Sequence, residues 1–366
     1  MKAIALRKGG ETVELLDVAA PVPQPDEVLI KVIRCGLCGT DREIIKRQIP
    51  DAPPGQDYLI LGHEVLGRVV ESGKDTGANV KTGDLVSVLV RRGCGHCNAC
   101  LTGHVDYCYT GDYKERGIHK IHGFFTEYIT DKPENLVRVP PELEDLGVLT
   151  EPTSISAKAY EVAERLMGRV CFGGACSVTG QKERALVAGH GPIGMLTAML
   201  LTVEGFHVSV LGRREPGDSQ RNFIESFGAR YLNMSLDEDK KAADSEGGFF
   251  LILEAVGLSD LTFRLPQLLS RNGILILTGV PRGPQEICLD GNTFMAGLVR
   301  YNQTVTGTVN ASRENFQTAL QYLQQFKELF PDKADKLITG RYNLNNWQDA
   351  FSQKNPDEIK AVIEFE

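Results

Sequence analysis

The chain has 366 residues, too many for one ordinary hydrophobic core, so two domains are expected. Hydrophobic residues at 42% and charged residues at 24% are the proportions of a soluble globular protein. A formal charge of −8 favours solubility and argues against nucleic acid or an anionic membrane surface as the main partner.

The first residues, Met1 to Leu6, alternate like a strand and carry no apolar leader, so a cytoplasmic protein is expected. Up to about residue 140, short β-branched runs alternate with Gly, Pro and Asp. Val28 to Ile33, Val65 to Val70 and Leu85 to Val90 read as strands, with Gly83-Asp84 as a turn. This region predicts a mainly-β, partly barrel-like domain. Near residue 150 the pattern changes, and Ser154 to Met167 reads as a helix with Pro152 near its start. From Arg184 the order is β-α-β: a strand Ala185 to Ala188, a helix Ile193 to Val203 and a strand His207 to Leu211. Phe249 to Glu254 and Gly273 to Leu277 read as further buried strands of a doubly wound parallel sheet, making the chain α/β. An amphipathic helix (Glu314 to Phe326) and an end strand (Lys360 to Phe365) complete the chain. The expected boundaries are 1–152, 153–305 and 306–366, the last segment returning to the first domain. The longest apolar stretch, Ala185 to Val203, is broken by Gly189, Gly191, Pro192 and Gly194, which excludes a membrane span there.

Nine cysteines include four within fifteen residues. Cys94, Cys97, Cys100 and Cys108 follow the spacing C-x2-C-x2-C-x7-C, which can close a tetrahedral Zn²⁺ shell with no open position. Such a site is structural and would organise a lobe of about residues 91–111. An iron–sulfur cluster is the competing reading. Cys35, Cys171, Cys176 and Cys288 read as packing or surface thiols. Cys35 and Cys38 have CxxC spacing, but strand alternation points the two side chains apart.

Gly189-His190-Gly191-Pro192-Ile193-Gly194 matches G-x-G-x-x-G between an apolar strand and a helix, as a dinucleotide turn requires. Gly189 permits the turn, Gly191 lets a pyrophosphate approach the backbone and Gly194 lets helix and strand pack closely. The next strand ends in Leu211-Gly212-Arg213-Arg214 where an NAD enzyme would carry an acid. Two guanidiniums there would hold a 2′-phosphate, so NADP is the expected cofactor, with NAD tolerated.

The remaining chemistry lies in Cys38-Gly39-Thr40-Asp41, Gly62-His63-Glu64 and Glu151. Cys, His and Glu together make a three-ligand zinc site with room for substrate. Asp41 is placed to accept the second N–H of His63, and Thr40 to bond a substrate hydroxyl and pass its proton outward.

With these motifs the chain resembles the zinc-dependent medium-chain dehydrogenases over its whole length. Within them it is similar to the archaeal-type glucose 1-dehydrogenases. The resemblance is carried by Tyr58 to Glu64, Val90 to Cys94, Arg116 to His119, Leu211 to Pro216 and Thr306 to Asn310. It implies a GroES-like catalytic domain beside a Rossmann domain, two zinc ions per subunit, and oxidation of D-glucose at C1 to the lactone with NADP or NAD. It places catalytic zinc ligands on Cys38, His63, Glu64 and Glu151, and sugar contacts on Thr40, Glu115, Glu151 and Asn310. Further cofactor contacts fall on Gly212, Thr278, Gly279 and Val280 and on Thr308, Val309 and Asn310. It also implies a homodimer or homotetramer. Val90, Ile155 and Arg300 depart from the sugar-contact pattern of one member type, which opens the choice of aldose. Two other readings stay open: a polyol, secondary-alcohol or threonine dehydrogenase, and an NADPH-binding sensor without a catalytic metal.

Overall fold

Ten residues rich in β-branched side chains (Val28, Ile30, Val32 and Ile33), Val28–Leu37, build a long strand on which one sheet is assembled. The computed structural model describes residues 1–365 apart from 49, 78, 171–182, 216–217, 234–246, 282 and 353–356. Cys171, Cys176 and Pro216 therefore lie outside the described residues. The chain forms two compact units.

The first unit comprises Met1–Ser154, Asn310–Gln324 and Ala334–Glu366. Its main sheet runs in the order Leu136–Arg138, Leu85–Val88, Glu64–Ser72, Val28–Leu37, Lys360–Glu364 and Ile338–Asn343, with Tyr128–Asp131 also paired to Val28–Leu37. The C-terminal strand is thus built into the N-terminal sheet, with Ala361 opposite Leu37. A smaller sheet joins Glu14–Asp17, Lys2–Arg7 and Tyr58–Ile60. Val28, Ile30 and Val32 bury one face of the central strand with Leu59, Phe124 and Phe125. A third sheet, Arg91–Arg92 with Lys114–Arg116 and Lys120–Ile121, flanks the four-cysteine lobe.

The second unit comprises Ile155–Val309 and Gln325–Lys333. Its sheet is parallel throughout, in the order Arg230–Asn233, His207–Gly212, Arg184–Ala188, Phe249–Glu254, Leu269–Leu277 and Thr304–Gly307. Phe249–Glu254 is buried at every position, as a strand covered on both faces must be. The strand expected at Gly273 begins earlier, at Leu269, because a register shift lets Leu269 pair with Phe249 before the main ladder resumes. The helix expected from Ser154 begins at Thr150, so Glu151 and Pro152 lie in its first turn. Among the described residues no helix is long and apolar enough to cross a membrane.

Candidate active site and metal centres

Cys38 ends the long strand and caps the helix Gly39–Arg47. Asp41 Oδ2 accepts from the Cys38 amide at 2.9 Å, and Asp41 Oδ1 accepts from the Gly62 amide at 3.0 Å. The fully buried carboxylate thus ties the two loops that carry Cys38 and His63. The expected pairing of His63 with Asp41 is present as a close approach, longer than a standard hydrogen bond. His63 Nδ1 stands 3.6 Å from Asp41 Oδ1, the oxygen that also accepts from the Gly62 amide. Thr40 is exposed, with its Oγ1 3.8 Å from the Cys38 thiol.

The ligand atoms of Cys38, His63 and Glu64 all lie within 4.8 Å of one another. Glu151 is buried in the first turn of its helix and lies outside that group. Burial pushes its carboxyl up to about 7, with Glu64 adding to the rise and His63 opposing it. For His63, burial disfavours the cation, but Asp41 and Cys38 outweigh it and hold the imidazole proton well above the usual range. Glu151 and His63 both hold their protons more tightly than usual here, as buried groups short of a compensating cation do, and a dication would supply that charge. The donor types, S, N and O with room for one more ligand, fit Zn²⁺.

One feature of this site is not legible from motifs. Lys360, 2% exposed, presses its Nζ against Glu64 Oε2 and donates to Leu37 O at 3.0 Å. Gly36 makes the approach possible, since a Cβ there would fall 2.0 Å from Glu64 Oε2. The only hint in the sequence is a lysine opening an otherwise apolar final strand.

The four-cysteine lobe gathers Cys94, Cys97, Cys100 and Cys108 with all sulfurs within 4.8 Å. Cys94 Sγ and Cys100 Sγ are 3.8 Å apart. That is the edge of a tetrahedron with metal–sulfur bonds of roughly 2.3 Å, so the thiols close around a single ion rather than a cluster. The Thr110 hydroxyl and neighbouring amides hold Cys94 down to about 5, and Thr110 also holds Cys108 at about 7, both of which favour the thiolate a metal needs. Burial pushes Cys100 up to about 12. Cys35 is buried and Cys288 exposed, and both are free thiols.

Beside the lobe, Glu115 and Asn310 meet: Asn310 Nδ2 donates to Glu115 Oε1 at 2.7 Å. Asn310 occupies the left-handed region at φ 60°.

In the second unit the expected turn is present. Gly189 has φ +111°, and a Cβ at Gly194 would strike Gly189 O at 2.1 Å. Gly191 is different, because a Cβ there meets no protein atom within 4 Å. Neither packing nor a left-handed φ requires its glycine, which fits a turn kept open for a ligand at the N-terminus of the helix Pro192–Val203. The two arginines divide. Arg214 is held within the protein: its Nε donates to His190 Nε2 at 3.2 Å, its Nη2 to Gln220 Oε1 at 3.2 Å, and its amide to Tyr231 Oη at 2.7 Å. Arg213 is exposed beside it. Thr278 and Gly279 amides bond Glu254 O, Val280 is exposed, Thr308 N bonds Leu277 O, and Val309 O accepts from Lys158 Nζ. Arg300 lines a groove with Gly248, Ser270 and Arg271, at the N-terminal ends of the parallel strands.

Comparison with known proteins agrees with this architecture. Residues 24–141 match the alcohol dehydrogenase GroES-like domain, and residues 144–365 match the glucose dehydrogenase C-terminus. The chain is 37% identical to a glucose 1-dehydrogenase of Methanocella arvoryzae, covering 100% of this chain and 99% of that protein. It is likewise 37% identical to a glucose 1-dehydrogenase of Metallosphaera sedula, with 100% and 99% covered. Among solved structures it is similar to Haloferax mediterranei glucose dehydrogenase in complex with NADP, Zn and gluconolactone. The TM-score is 0.89 and the identity 31%, over 100% of this chain and 99% of that one. The GroES-like unit, the Rossmann unit and these full-length relatives place the chain in the zinc-dependent medium-chain dehydrogenase superfamily, and within it the chain belongs to the archaeal-type glucose 1-dehydrogenase family.

Proposed function

We propose that the protein oxidises D-glucose at C1 to gluconolactone, with NADP as the hydride acceptor and NAD as a second acceptor. The observation that carries this reading is the convergence of Cys38, His63 and Glu64 within 4.8 Å in a chain whose full-length relatives are glucose 1-dehydrogenases. Cys38, His63 and Glu151 would hold Zn²⁺, with Glu64 as an alternate ligand, and Cys94, Cys97, Cys100 and Cys108 would hold a second. When bound, the catalytic zinc supplies Lewis acidity at the anomeric hydroxyl, and NADP supplies the carbon that takes the hydride.

The chain's own residues do the rest. Glu115 and Asn310 bind sugar hydroxyls and fix the orientation of C1, and good positioning of this kind is worth roughly 7–11 kcal/mol of barrier. Thr40 accepts the hydroxyl proton as the C1–H pair leaves as hydride, and passes it to solvent, to which it is exposed. Gly189, Gly191 and Gly194 cradle the pyrophosphate. Exposed Arg213 meets the 2′-phosphate, while Arg214 braces the turn through His190.

The test is an aldose panel assayed with NADP and with NAD, the product identified as lactone. Activity confined to polyols, threonine or simple secondary alcohols would overturn the glucose assignment. A second reading within the class, preference for another aldose, is favoured by Val90, buried at 3%, and by Ile155, one turn after Glu151, where one member type has Asn and Asp. We further propose a homodimer or homotetramer, to be measured by light scattering. The reduced four-thiol lobe fits a cytoplasmic location, to be measured by cell fractionation.

A further inference from the structure

Arg91 is an arginine with 6% exposure whose guanidinium joins two features that the sequence keeps apart. Its Nη1 donates to the Asp106 carbonyl at 2.7 Å. Asp106 belongs to the turn Val105–Tyr107, which leads directly into Cys108 of the metal lobe. Its Nε donates to Glu115 Oε1 at 3.0 Å, and its Nη2 also lies 3.0 Å from that oxygen. Arg91 and Glu115 are cross-strand partners in the small sheet, so the backbone ladder already sets them opposite each other. Tyr113 covers the guanidinium, its ring centroid 3.9 Å from Cζ.

Arg91 Nε and Nη2 and Asn310 Nδ2 converge on Oε1 of Glu115. The carboxylate is thereby held through Oε1, and none of these three contacts is made to Oε2. A carboxylate oxygen held this way is a directed acceptor for a hydroxyl, and a planar fork can hold it where a point charge cannot.

We propose that Arg91 is a positioning residue for the sugar: it anchors on the four-cysteine lobe through the Asp106 carbonyl and holds Glu115 so that Oε2 meets a substrate hydroxyl. This rests on the reading of Glu115 and Asn310 as sugar-binding residues. It makes the metal lobe a determinant of sugar affinity as well as of stability.

The experiment compares Arg91→Lys, Arg91→Met and Tyr113→Leu with Glu115→Ala in the zinc-loaded full chain. Glucose dissociation constants are measured by calorimetry without cofactor, alongside KM for glucose and NADP, kcat and zinc per chain. Expected is a rise in glucose KM and dissociation constant of about tenfold or more for Arg91→Met and about threefold for Arg91→Lys. Tyr113→Leu, a substitution on a surface loop, is expected to give about twofold, which keeps the test alive if the arginine variants fold poorly. NADP KM should stay unchanged, with kcat falling less than threefold, the mark of lost uniform binding. Lower thermal stability with an unchanged glucose dissociation constant in Arg91→Lys and Tyr113→Leu would overturn the proposal. If Glu115→Ala also binds glucose normally, the reading of the sugar site itself fails; if Glu115→Ala alone weakens it, only the role of Arg91 fails.

Discussion

Lys360 Nζ lies against Glu64 Oε2, and both side chains are at most 2% exposed. The pair joins the last strand of the first unit to the strand that starts with a candidate zinc ligand. Removing the lysine charge leaves a buried carboxylate with its ion partner gone, and such losses cost about 3–5 kcal/mol. Lys360→Met is therefore expected to lower the unfolding free energy by that amount, and Lys360→Arg by clearly less because the charge is kept. Urea unfolding of the two zinc-loaded variants measures it. Equal losses would mean that the fit of the lysine stem, and not its charge, supports the site.

The two metal sites differ in accessibility and in what they stabilise. Wild-type protein is expected to bind two zinc ions per chain. Cys38→Ala should bind one and lose activity while keeping its fold, because Cys38 only caps a surface helix. Cys97→Ser should also bind one, but with loss of stability, because the lobe has Ala99 as its only buried apolar side chain between Cys94 and Cys108. Metal analysis with thermal unfolding separates the cases. Two zinc ions retained in Cys38→Ala would remove Cys38 from the ligand set.

How far these features are legible in the sequence follows from how far apart their parts lie along the chain. The four cysteines and the glycine turn are local, so spacing alone brings out their geometry. The middle strands of the α/β sheet are equally local, as in the apolar runs Ala185 to Ala188 and Phe249 to Leu253, whereas its edge strands Arg230–Asn233 and Thr304–Gly307 carry no such run. Lys360 and Arg91 are not. Each finds its carboxylate through sheet pairing between distant segments, Gly36 with Glu64 and Val362 in one sheet, Arg91 with Glu115 in another. Asp41 is legible only in part: the motif brings it near His63, and the structure adds that it also ties the backbone amides of Cys38 and Gly62. Arg213 and Arg214 look alike in sequence, and only the positions of His190, Gln220 and Tyr231 tell them apart.

That difference between the arginines sets an expectation for cofactor choice. Arg213 is exposed and available to a 2′-phosphate, so Arg213→Ala should reduce the ratio of kcat/KM for NADP to that for NAD by about tenfold, the scale of one charge-assisted contact. Arg214 braces His190 within the glycine turn. Arg214→Ala should therefore weaken both cofactors together and change their ratio less. Steady-state kinetics with each cofactor measures this. A larger change of ratio for Arg214→Ala would reverse the assignment.

Asp131 offers a test in which pH carries the sign. Its buried carboxylate accepts from Arg116 Nη2 at 2.8 Å, from Asn135 Nδ2 at 2.7 Å, from the Lys132 amide at 2.9 Å and from Arg92. Burial alone would raise its pKa, but Arg116 and Arg92 outweigh burial and hold the carboxyl below its ordinary value of 3.8. A carboxylate depressed in the folded state stabilises it above the ordinary pKa, and that contribution is lost as pH falls through the folded value. Asp131→Asn, which keeps the shape and removes the charge, is expected to cost about 3–5 kcal/mol near neutral pH by leaving two guanidiniums under-compensated. The gap between wild type and variant should hold down to about pH 5 and narrow only below about pH 4. Urea midpoints of both proteins across that range give the comparison. A gap that narrows already near neutrality would mean that a different group, with a raised pKa, controls the acid limb.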